Sequence, residues 1–303
     1  MTVVLAPFSS DELAAPDGLT VVPFSGAADD LPSDAVLAQV EMWVIPYALE
    51  FPLGELAVRM PRLRVIQAQS AGTDGIVAHI PDGVVLCNAR GVHDASTAEL
   101  GVGLIIASLR GIPTFVRAQD EGRWAAWQWW PALADRTVMI LGYGSIGEAL
   151  ERRLAGFETT IVRVASRARD GVHAVDELPE LLPQVDVVVV LTPLTDATRH
   201  LVGKDFLAAM KDDALLVNLA RGPVVDTDAL LAELGTGRLR AALDVTDPEP
   251  LPDDHPLFSA PNALITPHVA GGTSAMRPRV VALVRDQLRR FAAGEDLVNR
   301  VSR

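Results

Sequence analysis

The chain has 303 residues, more than a single hydrophobic core usually serves, so two domains are expected. Hydrophobic residues make up 49% and charged residues 21%, a globular composition that excludes a disordered chain. The formal net charge of −13 argues against a nucleic-acid partner, because phosphate binding needs a basic face.

In chain order, the N-terminal "MTVVLAPFSSDEL" has no basic region, and its apolar run is too short for a signal peptide. Short apolar runs follow at 2–6, 19–24, 42–46, 63–69 and 84–88, separated by polar or helix-length stretches. Val- and Ile-rich runs without inside–outside alternation predict a parallel sheet covered on both faces. A long helix is predicted over 97–110, apolar nearly all round as in a buried or interface helix. Its most apolar part, "LGVGLIIASL" (100–109), has about half the length needed to cross a bilayer, so no membrane partner is expected. Four of the five tryptophans lie in "EGRWAAWQWWPALADR" (121–136), where core or subunit packing is favoured over a substrate-facing lid.

The alternation then restarts, with six strands predicted at 137–142, 159–166, 185–193, 214–220, 240–245 and 263–268. They make a second doubly wound α/β sheet. A final helical stretch, "RPRVVALVRDQLRRFAAGEDL", has no strand after it.

The chemistry-bearing positions cluster in this second half. "GYGSIG" follows the strand at 137–142 and opens a helix running from about Ser145 to Leu154. In that setting Gly142 permits a tight turn, Gly144 lets backbone approach a pyrophosphate and Gly147 lets helix and strand pack closely; Ser145 and Ile146 share the turn. The helix start supplies N–H groups and the positive dipole end. About twenty residues on, the acid that would bind the ribose hydroxyls of NAD is missing: "VASRARD" offers Ser166, Arg167 and Arg169, a set suited to a ribose phosphate. NADPH is therefore favoured over NADH, tempered by composition, since 24 of the 26 cations are arginine. Arg221, Asp244 with Glu249, and His268 follow three later strands, and ligand sites in open parallel sheets gather at those ends.

These segments resemble the D-isomer-specific 2-hydroxyacid dehydrogenase family over nearly the whole chain. The likeness is carried, in order, by "GYGSIG", "LTPLTDATRHLV", "LLVNLARGPVVDTDAL", "AALDVTDPEPLPDDHPLF" and "ITPHVAGGT". It implies that Arg221, Glu249 and His268 are catalytic. It implies also that Asp244 contacts the nicotinamide end, and that Thr192, Pro193 and Ala220 line the cofactor cleft. "SAGTDGI" (70–76), which matches the family less fully, would offer the Ala71 and Gly72 N–H groups to a substrate carboxylate. The implied fold is a Rossmann cofactor domain (93–273) inserted in a flavodoxin-like substrate domain (1–92 plus 274–303), hinged near 92 and 273. A homodimer through the 97–110 helix, with the Trp-rich segment near the interface, is implied as well.

Reduction of a 2-keto acid moves a hydride to the carbonyl carbon while the developing alkoxide needs a proton, which a histidine can give. Glu249 within reach of His268 would orient the ring and stabilise its imidazolium. Arg221 would pair with the carboxylate and polarise the carbonyl. Taken singly, His268, Arg221 and Glu249 are equally a structural histidine, a surface cation and a solvated acid; together with the glycine motif they are not. His79, His93, His173, His200 and His255 have no partner motif and read as surface or packing residues. Asp212, Asp213, Asp253 and Asp254 read as solvated, with no metal-site spacing.

Glyoxylate, hydroxypyruvate, pyruvate and a branched-chain analogue all suit such a site. Two other readings stand beside the reductase: a dinucleotide-sensing binding protein like the corepressors of this fold, and a dehydrogenase of another small anion such as phosphite. The single Cys87 permits no internal disulfide and no zinc spacing is present, so a reducing compartment, the cytoplasm, is expected.

Overall fold

The computed structural model describes residues 2–47 and 49–301. The chain divides into two compact units, one made of Met1–His93 with Ser274–Arg303 and the other of Asp94–Thr273.

The first unit holds β1 (Thr2–Ala6), β2 (Leu19–Pro23), β3 (Val40–Val44), β4 (Val65–Gln67) and β5 (Val85–Cys87), in the order β2-β1-β3-β4-β5. Every pairing is parallel, and the chain direction across the sheet reverses between β1 and β3, the doubly wound arrangement. Alternate side chains enter two separate cores. Leu5, Trp43, Ile66 and Leu86 pack on one face. Val4, Met42, Val44 and Val65 pack on the other, against Val280, Val284 and Leu288 of the helix Met276–Ala293. Both faces being covered accounts for the unbroken apolar runs. Strand β3 starts two residues earlier than its apolar run suggests, because its register against β1 slips around Glu41. The last helix belongs to this unit and is tied to it by the buried Gln287, whose Nε2 donates to Gln67 Oε1 at 2.7 Å.

The second unit holds β6 (Thr137–Leu141), β7 (Thr160–Ala165), β8 (His173–Ala174), β9 (Val187–Val190), β10 (Leu215–Asn218), β11 (Arg240–Leu243) and β12 (Ala263–Ile265). Their order is β12-β11-β10-β9-β6-β7-β8, all parallel. The same two-sided alternation operates: Met139, Leu141, Val188 and Leu216 face one core, Val138, Ile140, Val187 and Leu215 the other. Strand β8 is not among the six expected from the sequence, being a two-residue edge strand too short to show a pattern.

The helix Asp94–Leu109 turns through 69° into a second helix, Ile112–Asp120. No single helix among the described residues is long and apolar enough to cross a membrane. Gly111 lies at the bend with φ +63°, and a Cβ there would fall 2.3 Å from the Trp130 indole, so glycine is required. Trp130 is the only one of the four clustered tryptophans that packs in this way. Trp124, Trp127 and Trp129 are exposed at 99%, 77% and 86%, so packing within the chain's own core is not their role.

Candidate active site

In the second unit, loops at the carboxyl ends of adjacent parallel strands carry the candidate residues. Along the sheet edge the order is His268 after β12, Asp244 and Glu249 after β11, Arg221 after β10, Thr192 after β9, the glycine turn after β6 and Ser166 after β7. Backbone bonds lace these loops together: Asp244 N donates to Asn218 O at 3.0 Å, Leu219 N to Val190 O at 3.1 Å and Leu191 N to Leu141 O at 2.7 Å.

His268 Nδ1 lies 2.5 Å from Glu249 Oε1, and both side chains reach solvent, at 46% and 39% exposure. The carboxylate thus fixes Nδ1, and Nε2 meets no protein partner among the described residues. His268 has φ +52°, a left-handed conformation that costs a non-glycine residue about 1–3 kcal/mol. Its N–H donates to Asp244 O at 2.7 Å and Thr266 O at 3.0 Å, which hold it there. The buried Asp244 carboxylate completes the clamp. Oδ1 accepts from Thr266 Oγ1 at 2.6 Å and Val269 N at 2.9 Å, and Oδ2 accepts from Ala270 N at 3.0 Å. Asp244 thus shapes the histidine loop.

Arg221 follows β10 in a loop held by the buried Asn218, whose Oδ1 accepts from Ala220 N at 3.0 Å and whose Nδ2 donates to Arg221 O at 3.1 Å. The Arg221 guanidinium donates to Ala220 O at 2.7 Å. Gly222 brings this loop against the next one, since a Cβ there would sit 1.8 Å from Thr246 O. Asn218 and Gly222 shape the loop that carries Arg221 and were not singled out from the sequence. Their signal lay within "NLARG", on either side of the arginine.

The glycine turn has the local geometry of a phosphate cradle. Gly142 has φ +100°, and a Cβ there would meet Thr192 N at 2.5 Å. Gly144 has open space where a Cβ would be, and Gly147 packs against Ile140 and Tyr143. The helix Ser145–Leu154 has no side-chain cap, and the N–H groups of Ser145, Ile146 and Gly147 meet no protein acceptor among the described residues. Such a helix start favours an anion. The buried Thr192 Oγ1 also lacks a protein partner, with Pro193 exposed beside it. A dinucleotide pyrophosphate fits these residues.

Beyond β7, Ser166, Arg167 and Arg169 are all exposed. Arg167 makes no hydrogen bond or ion pair among the described residues, whereas Arg169 Nη2 donates to Tyr143 O at 2.6 Å. In the first unit, Ser70 Oγ donates to Gly72 O at 2.7 Å and Asn88 Nδ2 to Ala71 O at 2.9 Å. These bonds shape a loop whose Ala71 and Gly72 N–H groups meet no protein acceptor among the described residues.

Of the histidines without a motif, His93 is buried with Nε2 2.7 Å from Gln69 O, and His173 Nδ1 pairs with Glu177 at 2.7 Å. Among the described residues no group of three or more His, Cys, Asp or Glu side chains is placed to hold a metal ion.

Residues 102–270 match the model of the D-isomer specific 2-hydroxyacid dehydrogenase NAD binding domain. The chain is 37% identical over 251 residues to a glyoxylate reductase of Thermofilum pendens, covering 78% of this chain and 74% of that protein. It is 35% identical over 248 residues to the human glyoxylate reductase/hydroxypyruvate reductase, covering 78% and 76%. Among solved structures, it resembles a D-isomer specific 2-hydroxyacid dehydrogenase from Xanthobacter autotrophicus Py2 in complex with NADPH and MES, with a TM-score of 0.82, 32% identity and coverage of 99% and 98%. An NADPH-dependent glyoxylate/hydroxypyruvate reductase from Sinorhizobium meliloti in complex with citrate gives a TM-score of 0.82 at 28% identity, covering 100% and 98%.

Proposed function

The chain belongs to the D-isomer-specific 2-hydroxyacid dehydrogenase family, and from that premise we propose that it reduces a small 2-keto acid of the glyoxylate or hydroxypyruvate kind, with NADPH preferred over NADH. The observation that carries this reading is the His268–Glu249 pair at 2.5 Å, standing on the same sheet edge as Arg221 and the glycine turn.

A reduced nicotinamide, when bound, supplies the hydride. The protein's own residues do the rest. Arg221 pairs with the substrate carboxylate and polarises the carbonyl, an anchor for an anion in an acidic protein. Within the first unit, the Ala71 and Gly72 N–H groups suit a substrate carboxylate. His268 donates its proton to the developing alkoxide from Nε2, while Glu249 at Nδ1 keeps the ring oriented. Asp244 keeps the histidine loop in place and is the residue proposed to contact the nicotinamide end.

NADPH preference rests on the missing acid after β7 and on Ser166, Arg167 and Arg169 in its stead. The relative solved in complex with NADPH and the one named as NADPH-dependent support this choice. The buried free thiol of Cys87 suits a reducing compartment, and the cytoplasm is the proposed location. The exposed Trp124, Trp127 and Trp129 support a homodimer in which this segment meets a second copy, since large aromatic side chains are enriched at interfaces. The experiment is steady-state oxidation of NADPH and NADH against glyoxylate, hydroxypyruvate, pyruvate and 2-oxoisocaproate. Cofactor binding without turnover would favour the sensor or a dehydrogenase of another anion.

A further inference from the structure

Arg163 is a charged residue in the interior of a Val- and Ile-rich strand, "TIVRVA", beside the candidate cofactor turn. Its Nε donates to Glu151 Oε2 at 2.7 Å, and its Nη2 donates to Glu151 Oε1, giving a two-pronged pair. An ion pair clipping helix to strand would need nothing more. Two further links extend this one. Tyr143, between Gly142 and Gly144, donates from Oη to Glu151 Oε2 at 2.5 Å. Arg163 Nη1 donates to Gly171 O at 3.4 Å, in the tight hairpin before β8.

That hairpin carries Arg169. Its backbone is fixed by reciprocal bonds with Val172, at 3.0 and 2.8 Å, and Gly171 makes the turn at φ +67°. Arg169 Nη2 then returns to Tyr143 O at 2.6 Å, closing the circuit. The Arg163 and Arg169 guanidinium carbons stand 5.6 and 5.8 Å from the Tyr143 ring centroid, within cation–π range. The remaining Arg169 side-chain donors, Nε and Nη1, meet no protein acceptor among the described residues.

A free arginine gives up rotamer entropy when it clamps a ligand. One already held loses less, so it binds more tightly for the same contacts. Arg169 is held and Arg167 is free. We propose that Tyr143, Glu151 and Arg163 are positioning residues that pre-set Arg169 for the phosphate on the adenosine ribose of NADPH. Their circuit, and not the arginine alone, makes that phosphate recognisable. The proposal rests on the cofactor reading above and deepens it. The charge states are consistent with a fixed circuit, because the Arg163 guanidinium holds the Glu151 carboxyl below the usual carboxylate range, and burial with Glu151 pushes the Tyr143 hydroxyl upward.

The test is calorimetric titration of the full chain with ADP-ribose and with its 2′-phosphate. Binding is read in place of turnover, so the absence of 2-keto acid reduction would defeat the proposed function and leave this test standing. Glu151→Gln and Arg163→Gln should weaken the phosphorylated ligand about fivefold to tenfold more than the unphosphorylated one, the scale of a charge-assisted bond partly lost. In an Arg169→Ala background the same substitutions should no longer change the ratio. Tyr143→Phe, which removes one hydroxyl and keeps the ring, guards against misfolding and should move the ratio in the same direction. Equal weakening of both ligands, or an undiminished effect without Arg169, would overturn the positioning role. A wild-type protein that binds both ligands equally would overturn it together with the NADPH preference.

Discussion

His268 and Glu249 lie 19 residues apart in sequence and 2.5 Å apart in space, because the strands that precede them, β11 and β12, are neighbours in one parallel sheet. The pair stands in an exposed loop region, where an isolated ion pair adds little to stability. Its chemistry lies in orientation. Glu249→Gln keeps the side-chain shape and removes the charge, so kcat with a 2-keto acid should fall by about 10- to 100-fold with little change in thermal stability. Stopped-flow turnover and a melting curve check both halves; unchanged kcat would remove Glu249 from the mechanism.

Gly222→Ala should be costly, since the added Cβ would sit 1.8 Å from Thr246 O and 2.7 Å from Asp247 N. All three near atoms are backbone of Thr246 and Asp247, which leaves no cheap relaxation. Destabilisation of about 1–3 kcal/mol by urea denaturation, with a loss of kcat/KM, is expected. A variant as stable and active as the wild type would contradict the close approach.

Arg167→Ala should raise the KM for NADPH about tenfold and leave the KM for NADH within about twofold, because the side chain is exposed and unpaired until a phosphate is present. Parallel initial rates with the two cofactors decide it. Equal losses would remove the phosphate role.

Asp186 gives the pH dependence. Burial pushes its carboxyl upward, but hydrogen bonds from Lys211 at 2.7 Å and Thr137 N at 2.8 Å outweigh it and hold the group below its ordinary value. A carboxylate depressed in the folded state stabilises above its unfolded pKa, and the contribution is lost as pH falls through the folded value. Wild type should therefore be more stable than Asp186→Asn at neutral pH, with the difference shrinking between about pH 5 and pH 2. Thermal unfolding midpoints across that range test it, and a constant difference would contradict the assignment.

Trp127→Glu, at a side chain 77% exposed, should leave the fold intact and weaken self-association. Light scattering should give twice the 32.3 kDa chain mass for the wild type and less for the variant. A monomeric wild type would defeat the homodimer.

Much of this was legible in sequence, for identifiable reasons. Parallel strands buried on both faces leave continuous apolar runs, so β1, β6, β9 and β10 announce themselves. Gly142, Gly144 and Gly147 are recognisable by their spacing after a strand, and at Gly142 the φ of +100° and the 2.5 Å approach to Thr192 N leave no room for a side chain. What stayed hidden depends on neighbours distant in sequence. Two residues cannot show the pattern of β8, and Tyr143 occupies a variable position of the glycine turn whose partners sit 8 and 26 residues away. Nothing in the Trp-rich stretch distinguishes Trp130, packed on Gly111, from its three exposed neighbours.

The most direct test is the initial rate of NADPH oxidation with glyoxylate and hydroxypyruvate for the wild type and His268→Asn, alongside NADPH binding to both. Turnover by the wild type that falls by about 10²- to 10⁴-fold in the variant, with NADPH still bound, is the predicted result. Equal turnover by the two proteins, or none by the wild type with any 2-keto acid despite bound NADPH, would contradict the reductase.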